Sequence, residues 1–306
     1  MNYIQQIDWQ LWKLALRAYN FIASIISKTK ISKVRVGQRY LGHIIYPLAM
    51  KLLCYTLPEP IETSRMLMYH RTLDGRGQSG CIYVFGYEPE VSSLFKQIVR
   101  QGTTFVDVGA YIGYYTLLAA KCVGIEGKVY AFEPDPSYYA LLVKNIEANN
   151  LGKIVEPFNQ AIGDTRGKTT LYLGRSTGSG LFKTPDATDK TSMADVVSLD
   201  VFFENQGWPA VQAIKMDIEG SEALALEGMR QLVKRNPGIK LIIELNPTYL
   251  NIAGKTPEGL LTLLGELGFQ RAWVLLDKKS YKIPQDIPGL VARGRRQLYM
   301  NLLCEQ

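Results

Sequence analysis

Histidine is nearly missing from this sequence: His43 and His70 are the two among 306 residues. A proton-transfer site built on imidazole would have to use one of them. Cysteine is almost as sparse, with Cys54, Cys81, Cys122 and Cys304 far apart and in no CxxC pair. That excludes a disulfide framework or a cysteine-held zinc and points to a reducing, cytoplasmic compartment. Compositional bias is absent too. With 47% hydrophobic and 21% charged residues, the chain has ordinary globular proportions, which excludes disorder and collagen-like architecture. Between Asp8 and Glu59 there is no acidic residue at all.

That last absence marks the N-terminus as a separate region, residues 1–60. Lys13, Arg17, Lys28, Lys30, Lys33, Arg35, Arg39 and Lys51 face Asp8 and Glu59 there, and the remainder of the chain is close to neutral. Trp9, Trp12, Leu16, Phe21 and Ile25 supply large apolar groups, so the pattern predicts a basic amphipathic helical extension. Its charge-free stretches, residues 18–27 and 40–50, are shorter than the roughly 18 residues a spanning helix needs. A cleavable signal would place its positive charge first, whereas here the basic cluster follows the apolar run. Two readings stay open. The extension lies on an anionic membrane surface, where each Lys or Arg is worth about 1 kcal/mol, making the protein peripheral on the inner face; or it packs on the main domain or on a second copy, as in a homodimer.

From Thr103 onward, short apolar runs alternate with helical segments. Strands are expected at 104–108, 129–132, 155–158, 213–216, 241–243, 272–276 and 297–303, with helices ending near Cys122, spanning 136–149 and spanning 257–267. This alternation predicts an α/β fold with a doubly wound, mostly parallel sheet. Ligands in such sheets bind beyond the C-terminal strand ends. Residues 174–195, rich in Gly, Ser and Thr and without apolar periodicity, are expected to be a loop, either a lid over a site or a surface excursion.

Three strand ends carry chemistry. In Phe105-Val-Asp-Val-Gly-Ala-Tyr-Ile-Gly113 an acid precedes a GxxxG turn. A dinucleotide oxidoreductase would need GxGxxG at this position so that pyrophosphate could sit on the helix N-terminus. Asp107 would repel that group and suits a cationic ligand such as the ammonium and sulfonium of S-adenosylmethionine. Glu133 ends the second strand, where a carboxylate can accept from both ribose hydroxyls. In Ile214-Lys-Met-Asp-Ile-Glu-Gly-Ser-Glu222 the groups Lys215, Asp217, Glu219 and Glu222 converge on the expected crevice, where crowded carboxylates raise one another's pKa. Taken alone, Glu222 reads as a helix-capping acid.

These segments, with Ala131-Phe-Glu-Pro-Asp135, Ala161-Ile-Gly-Asp164, Ser198-Leu-Asp200 and Ile243-Glu-Leu245, resemble the FkbM family of S-adenosylmethionine-dependent methyltransferases from about Gly86 onward. The resemblance implies a class I methyltransferase fold, Rossmann-like, with an antiparallel last strand. It also implies O-methylation of a hydroxyl on a sugar, glycolipid or polyketide- or peptide-type natural product. N- or carboxyl-methylation, and a non-catalytic membrane-associated adaptor, remain as alternatives. Domain limits follow as the 1–60 extension, a 61–100 segment contributing to the acceptor pocket, and a cofactor-binding domain over 101–306.

By the same resemblance Asp107, Gly109, Ala110 and Gly113 hold the methionine end of the cofactor. Glu133 and Pro134 hold the ribose, and Asn159, Gln160 and Ala161 border the adenine. The family's usual Asn in the glycine turn is Tyr111 here, with Tyr114 and Tyr115 as cation-stabilising faces. Asp217 is the expected base and Glu244 the second. Tyr87 and Glu88, in the family-like Gly86-Tyr-Glu-Pro89 run, are expected to meet the acceptor together with His70, Glu219 and Glu222. A small-molecule or lipid-linked acceptor is the expected partner, with no nucleic acid and no metal.

Overall fold

The computed structural model describes residues 60–70, 87–174, 178–295 and 297–306. The expected helical extension of residues 1–60 lies, apart from Pro60, outside the described residues. Strands β1 (Ile61–Thr63) and β2 (Met66–Met68) pair as a short antiparallel hairpin, and α1 (Pro89–Ile98) leads into the main sheet. Strands and helices then alternate as β3 (Thr104–Val108), α2 (Tyr114–Val123), β4 (Lys128–Phe132), α3 (Pro136–Ala148) and β5 (Val155–Phe158). An inserted sheet follows, made of β6 (Ala161–Ile162), β7 (Gly167–Gly174) and β8 (Ala187–Val197) in the order β6-β8-β7. The chain returns through α4 (Leu199–Asn205), β9 (Ala213–Met216), α5 (Glu222–Glu227), α6 (Arg230–Arg235) and β10 (Lys240–Leu245). It continues through α7 (Pro247–Ile252), α8 (Pro257–Glu266), β11 (Arg271–Val274), β12 (Lys279–Lys282), α9 (Ile287–Gly294) and β13 (Met300–Glu305).

The main sheet has the order β12-β11-β13-β10-β9-β3-β4-β5. Its centre is parallel from β10 to β5, and β13 runs antiparallel to both β10 and β11. This is the doubly wound, mostly parallel sheet with an antiparallel closing strand that the sequence pattern predicts. The parallel strands are covered on both faces, which is why they read as continuous apolar runs. Val106, Val108, Ile214, Met216 and Ile243 are fully buried in one cluster, joined by Tyr130, Phe132 and Phe202 in edge-to-face contact. Helix starts follow from local chemistry. Asp135, Asn246 and Thr256 accept from the backbone N–H groups of Ser137, Tyr249 and Gly259, and a proline occupies the first position after each cap.

Residues 174–195 depart from expectation. Instead of one loop, β8 begins at Ala187 and pairs antiparallel with β7 from Gly167↔Val196 to Gly174↔Ala187. Much of β8 is exposed, so backbone pairing and β-branched Thr and Val hold it, and no apolar period is written into it. Among the described residues no helix is long and apolar enough to cross a membrane.

The winding places the site. The chain builds outward from β3 to β5 and then returns to the other side of β3 with β9, so the β3–β9 boundary is where strand order reverses and a crevice opens. Asn145 of α3 ties the β1–β2 hairpin to this boundary. Its Oδ1 accepts from the Tyr69 N–H (2.6 Å), and its Nδ2 donates to the carbonyls of Tyr69 (2.9 Å) and Ile112 (2.7 Å) in the glycine turn. Replacing fully buried Asn145 by Ala strands all three backbone groups. We expect a loss of about 3 kcal/mol, seen as a fall in the urea midpoint; a loss under about 1 kcal/mol would mean that water replaces the amide.

Candidate active site

One cavity of 570 Å³ opens at the reversal point, within the roughly 300–1,000 Å³ of ligand sites. Its first wall is the turn after β3. Gly109 has φ +83°, and a Cβ there would stand 1.9 Å from the Asp217 carbonyl oxygen, so only glycine fits. The N–H groups of Gly109 and Ala110 both donate to the Phe132 carbonyl. The Tyr111 N–H donates to Glu133 Oε2 (2.8 Å), and the Asp135 N–H donates to Glu133 Oε1 (2.9 Å). Each Glu133 oxygen thus keeps a further lone pair. Burial pushes this carboxyl up to about 8, against the pull of the two N–H donors. Buried Asp107 accepts from the Thr116 hydroxyl at Oδ2 (2.6 Å), while its Oδ1 has no partner in the protein. Burial raises this carboxyl as well, opposed by Lys215.

The second wall is the turn after β9. Lys215, only 3% exposed, donates from Nζ to Asp217 Oδ2 (2.9 Å) and stands 4.7 Å from the centre of the Tyr115 ring. Burial would raise Asp217, but Lys215 and a hydrogen bond from Glu244 overcome it and hold the carboxyl below its ordinary value. Burial, then the Asp217 charge, push Glu244 well above the ordinary range. Asp217 is thus shifted toward its anion and Glu244 toward its neutral acid. The Tyr115 hydroxyl donates to Glu88 Oε2 (2.6 Å), and Asn301 Nδ2 donates to Glu88 Oε1 (2.8 Å). Three wall residues, Glu88, Tyr111 and Glu219, have φ of 40°, 52° and 55°, a left-handed backbone that such side chains rarely adopt and that concentrates at functional sites.

Most sequence-predicted residues line this cavity: Asp107, Gly109, Ala110, Tyr111, Tyr114, Tyr115, Glu133, Pro134, Gln160, Ala161, Asp217, Glu244, Tyr87, Glu88 and Glu219. Four stand behind it. Asn159 braces the turn by donating to the carbonyls of Glu133 and Pro134. Gly113 lets α3 approach α2, since a Cβ there would meet the Leu142 side chain at 2.7 Å. Glu222, pushed by burial to about 7, accepts from the N–H groups of Ile218 and Gly220 and so holds the turn. His70 is buried at the foot of the β1–β2 hairpin.

Other wall residues were not nominated from sequence. Ser221 is 2% exposed, and its hydroxyl has no partner. Gly178, Ser179, Gly180 and Leu181 come from the β7–β8 connection, with the Ser179 hydroxyl donating to Asp135 Oδ2 at 2.5 Å. Leu298 and Tyr299 form a rim.

The methyltransferase FkbM domain family matches residues 107–271, more than half of the chain. The chain belongs to that family. It is 24% identical over 179 residues to the hexuronic acid methyltransferase AglP of Haloferax volcanii, covering 58% of this chain and 68% of that protein. A protein of Sulfurisphaera tokodaii named as a probable cobalt-precorrin-6B C(15)-methyltransferase (decarboxylating) is 37% identical over 68 residues, 22% of this chain and 35% of that one. Among solved structures, a SAM-dependent O-methyltransferase of Thermotoga maritima superposes with a TM-score of 0.38 at 18% identity, over 71% of this chain and 64% of that one. Likeness at that level adds nothing to what the sheet order already says.

As an FkbM member the protein is an S-adenosylmethionine-dependent methyltransferase, and the wall fits that donor. Asp107 Oδ1 offers an unpartnered buried acceptor, Glu133 in its ionised form offers a free lone pair on each oxygen, and the backbone at Gly109 leaves no room for a side chain.

The raised carboxyls fix a stability trend. Glu133, Glu222 and Glu244 are raised above the roughly pH 4 to 4.5 at which such groups release their protons in an unfolded chain. Stability of the ligand-free protein should therefore fall as pH rises from about 5 to 8, by up to about 1.4 kcal/mol per pH unit for each group still protonated. Asp217 acts oppositely, losing its contribution only as pH falls below the ordinary carboxylate range. Glu133→Gln should flatten the melting temperature profile between pH 6 and 8, and a wild-type profile already flat there would contradict these protonation states.

Proposed function

We propose that the protein transfers a methyl group to a hydroxyl oxygen of a sugar, a sugar-bearing lipid or a polyketide- or peptide-type natural product. The observation that carries this reading is the Asp217–Glu244 pair in the cavity wall, with Asp217 bonded to the buried ammonium of Lys215 at 2.9 Å and so shifted toward its anion. A hydroxyl must lose its proton as its oxygen is alkylated, and an ionised carboxylate in the cavity wall can take it. A hexuronic acid methyltransferase among the relatives supports a carbohydrate.

When bound, S-adenosylmethionine supplies a methyl group on a positively charged sulfur, a leaving group good enough that alignment dominates the barrier. Asp107 with the turn from Gly109 to Tyr111, and the faces of Tyr114 and Tyr115, would hold its methionine end. Glu133 and Pro134 would hold the ribose, and Gln160 and Ala161 the adenine, with Asn159 bracing that turn. Tyr87, Glu88 and Glu219 would orient the acceptor. Asp217 receives the acceptor proton: the O–H bond breaks and its electron pair stays on the oxygen. Glu244 keeps Asp217 in place by hydrogen bonding to it.

Two substitutions separate binding from turnover. Glu133→Ala should weaken S-adenosylmethionine binding at least tenfold in calorimetry, as expected for losing hydrogen bonds to a charged group worth about 1.5 to 3 kcal/mol. An unchanged dissociation constant in a folded variant removes Glu133 from the ribose. Asp217→Asn should keep that affinity within about an order of magnitude and cut turnover by roughly 10² to 10⁴, and near wild-type turnover would remove Asp217 as base. The acceptor is sought by mass spectrometry of glycan, lipid and small-molecule extracts incubated with isotopically labelled donor; label found only on carboxylates or nitrogen would overturn the hydroxyl reading.

A further inference from the structure

Lys215 has no part in the reaction as drawn above, yet it is one of the most constrained groups in the protein. It lies inside β9 in register with Asp107 of β3 and Ile242 of β10. A buried ammonium is unfavourable by several kcal/mol unless paired, and this one faces negative charge on several sides. Asp217 takes a direct bond, while Asp107 and Glu88 act through space. Burial would lower Lys215, but these three carboxyls overcome it and hold the amine charged. The Tyr115 ring lies against the ammonium and is itself aimed by Glu88, whose second oxygen is held by Asn301. Asn301 stands opposite Glu244 in the β10–β13 ladder. The contacts thus run from Lys215 through Tyr115, Glu88 and Asn301 back to β10, and fix where the charge sits.

Two buried carboxyls sharing one proton do not by themselves decide which is the anion. A fixed cation bonded to one of them does. We propose that Lys215 is the positioning residue that makes Asp217, and not Glu244, the anion of the pair. A permanently charged lysine cannot itself take the acceptor proton, so its effect is exerted through Asp217. The charged and titratable groups around the pair are Lys215 on β9, Asp107 on β3, Glu88 before α1, Glu219 and Glu222 at the start of α5, and Tyr299 before β13. Of these, Lys215 is the cation.

The assignment takes its catalytic meaning from the proposed hydroxyl methylation, but its test does not depend on that reading. In the ligand-free full chain carrying ¹³C-carboxyl aspartate, the Asp217 resonance is identified by its loss in Asp217→Asn and followed with pH by NMR. The wild-type resonance should stay in the ionised position down to about pH 4 or below. In Lys215→Met the midpoint should lie about 1 to 3 pH units higher, the effect of removing a close opposite charge. Lys215→Arg should restore it. The acid limb of the kcat/KM profile should move with the NMR midpoint in the same variants. An unchanged midpoint in folded Lys215→Met overturns the proposal. Should that variant not fold, Glu244→Gln decides: with the lysine retained, Asp217 should remain ionised to about pH 4, and a midpoint near neutrality there would assign the bias to Glu244 and overturn the proposal. If the midpoints move as expected while no hydroxyl acceptor is methylated, the role of Lys215 stands and the acceptor reading falls.

Discussion

The turn leaving β3 and the turn leaving β9 touch backbone to backbone, and the site is built on that contact. The parallel ladder runs one bond past the strands, from the Asp217 N–H to the Val108 carbonyl, so the two turns depart side by side. No side chain can stand between them at Gly109. The residues suited to the donor and the carboxyl suited to the acceptor are thereby set on adjacent strands of one rigid sheet. For an in-line displacement, where alignment supplies most of the acceleration, such a fixed separation matters more than any one functional group.

Charge is the second organising term, and it opposes stability. Two carboxyls of the cavity wall, Glu133 and Glu244, are pushed up by burial, which favours their neutral forms in the ligand-free state. Asp217 goes the other way because it is bonded to the buried ammonium. Positive charge brought into such a site favours the ionised forms of these groups. The left-handed backbone at Glu88, Tyr111 and Glu219 also opposes stability.

The polar strand ends were legible in the sequence because parallel strands buried on both faces read as apolar runs, and the first acid after each run marks the functional edge of the sheet. Asp107, Glu133, Asp217 and Glu244 were found in that way. Lys215 was named among the converging groups, but what stabilises it lies on four other elements, so its bonds are visible only once these meet. The β7–β8 hairpin was hidden for another reason: cross-strand backbone pairing leaves little trace in a half-exposed strand. Glu222 and Asn159 sat beside the right residues in sequence, but short side chain to backbone bonds turned them into braces. Leu298 and Tyr299 reach the rim from the lead-in to β13, far along the chain from any motif.

The placement of β13 bears on how the molecule is made. In the sheet it lies between β10 and β11, yet in the chain it follows β11 and β12. A growing polypeptide therefore completes β10 long before the neighbour that covers its open edge has been synthesised. During that interval β10 offers unpaired N–H and C=O groups beside apolar Leu241, Ile242 and Ile243, a template for pairing with another nascent chain. Asn301, which fastens Glu88 in the cavity, arrives with the same late strand. The contact that fastens Glu88 is therefore made only after β11 and β12 have been added, and until then the open β10 edge is exposed to mispairing.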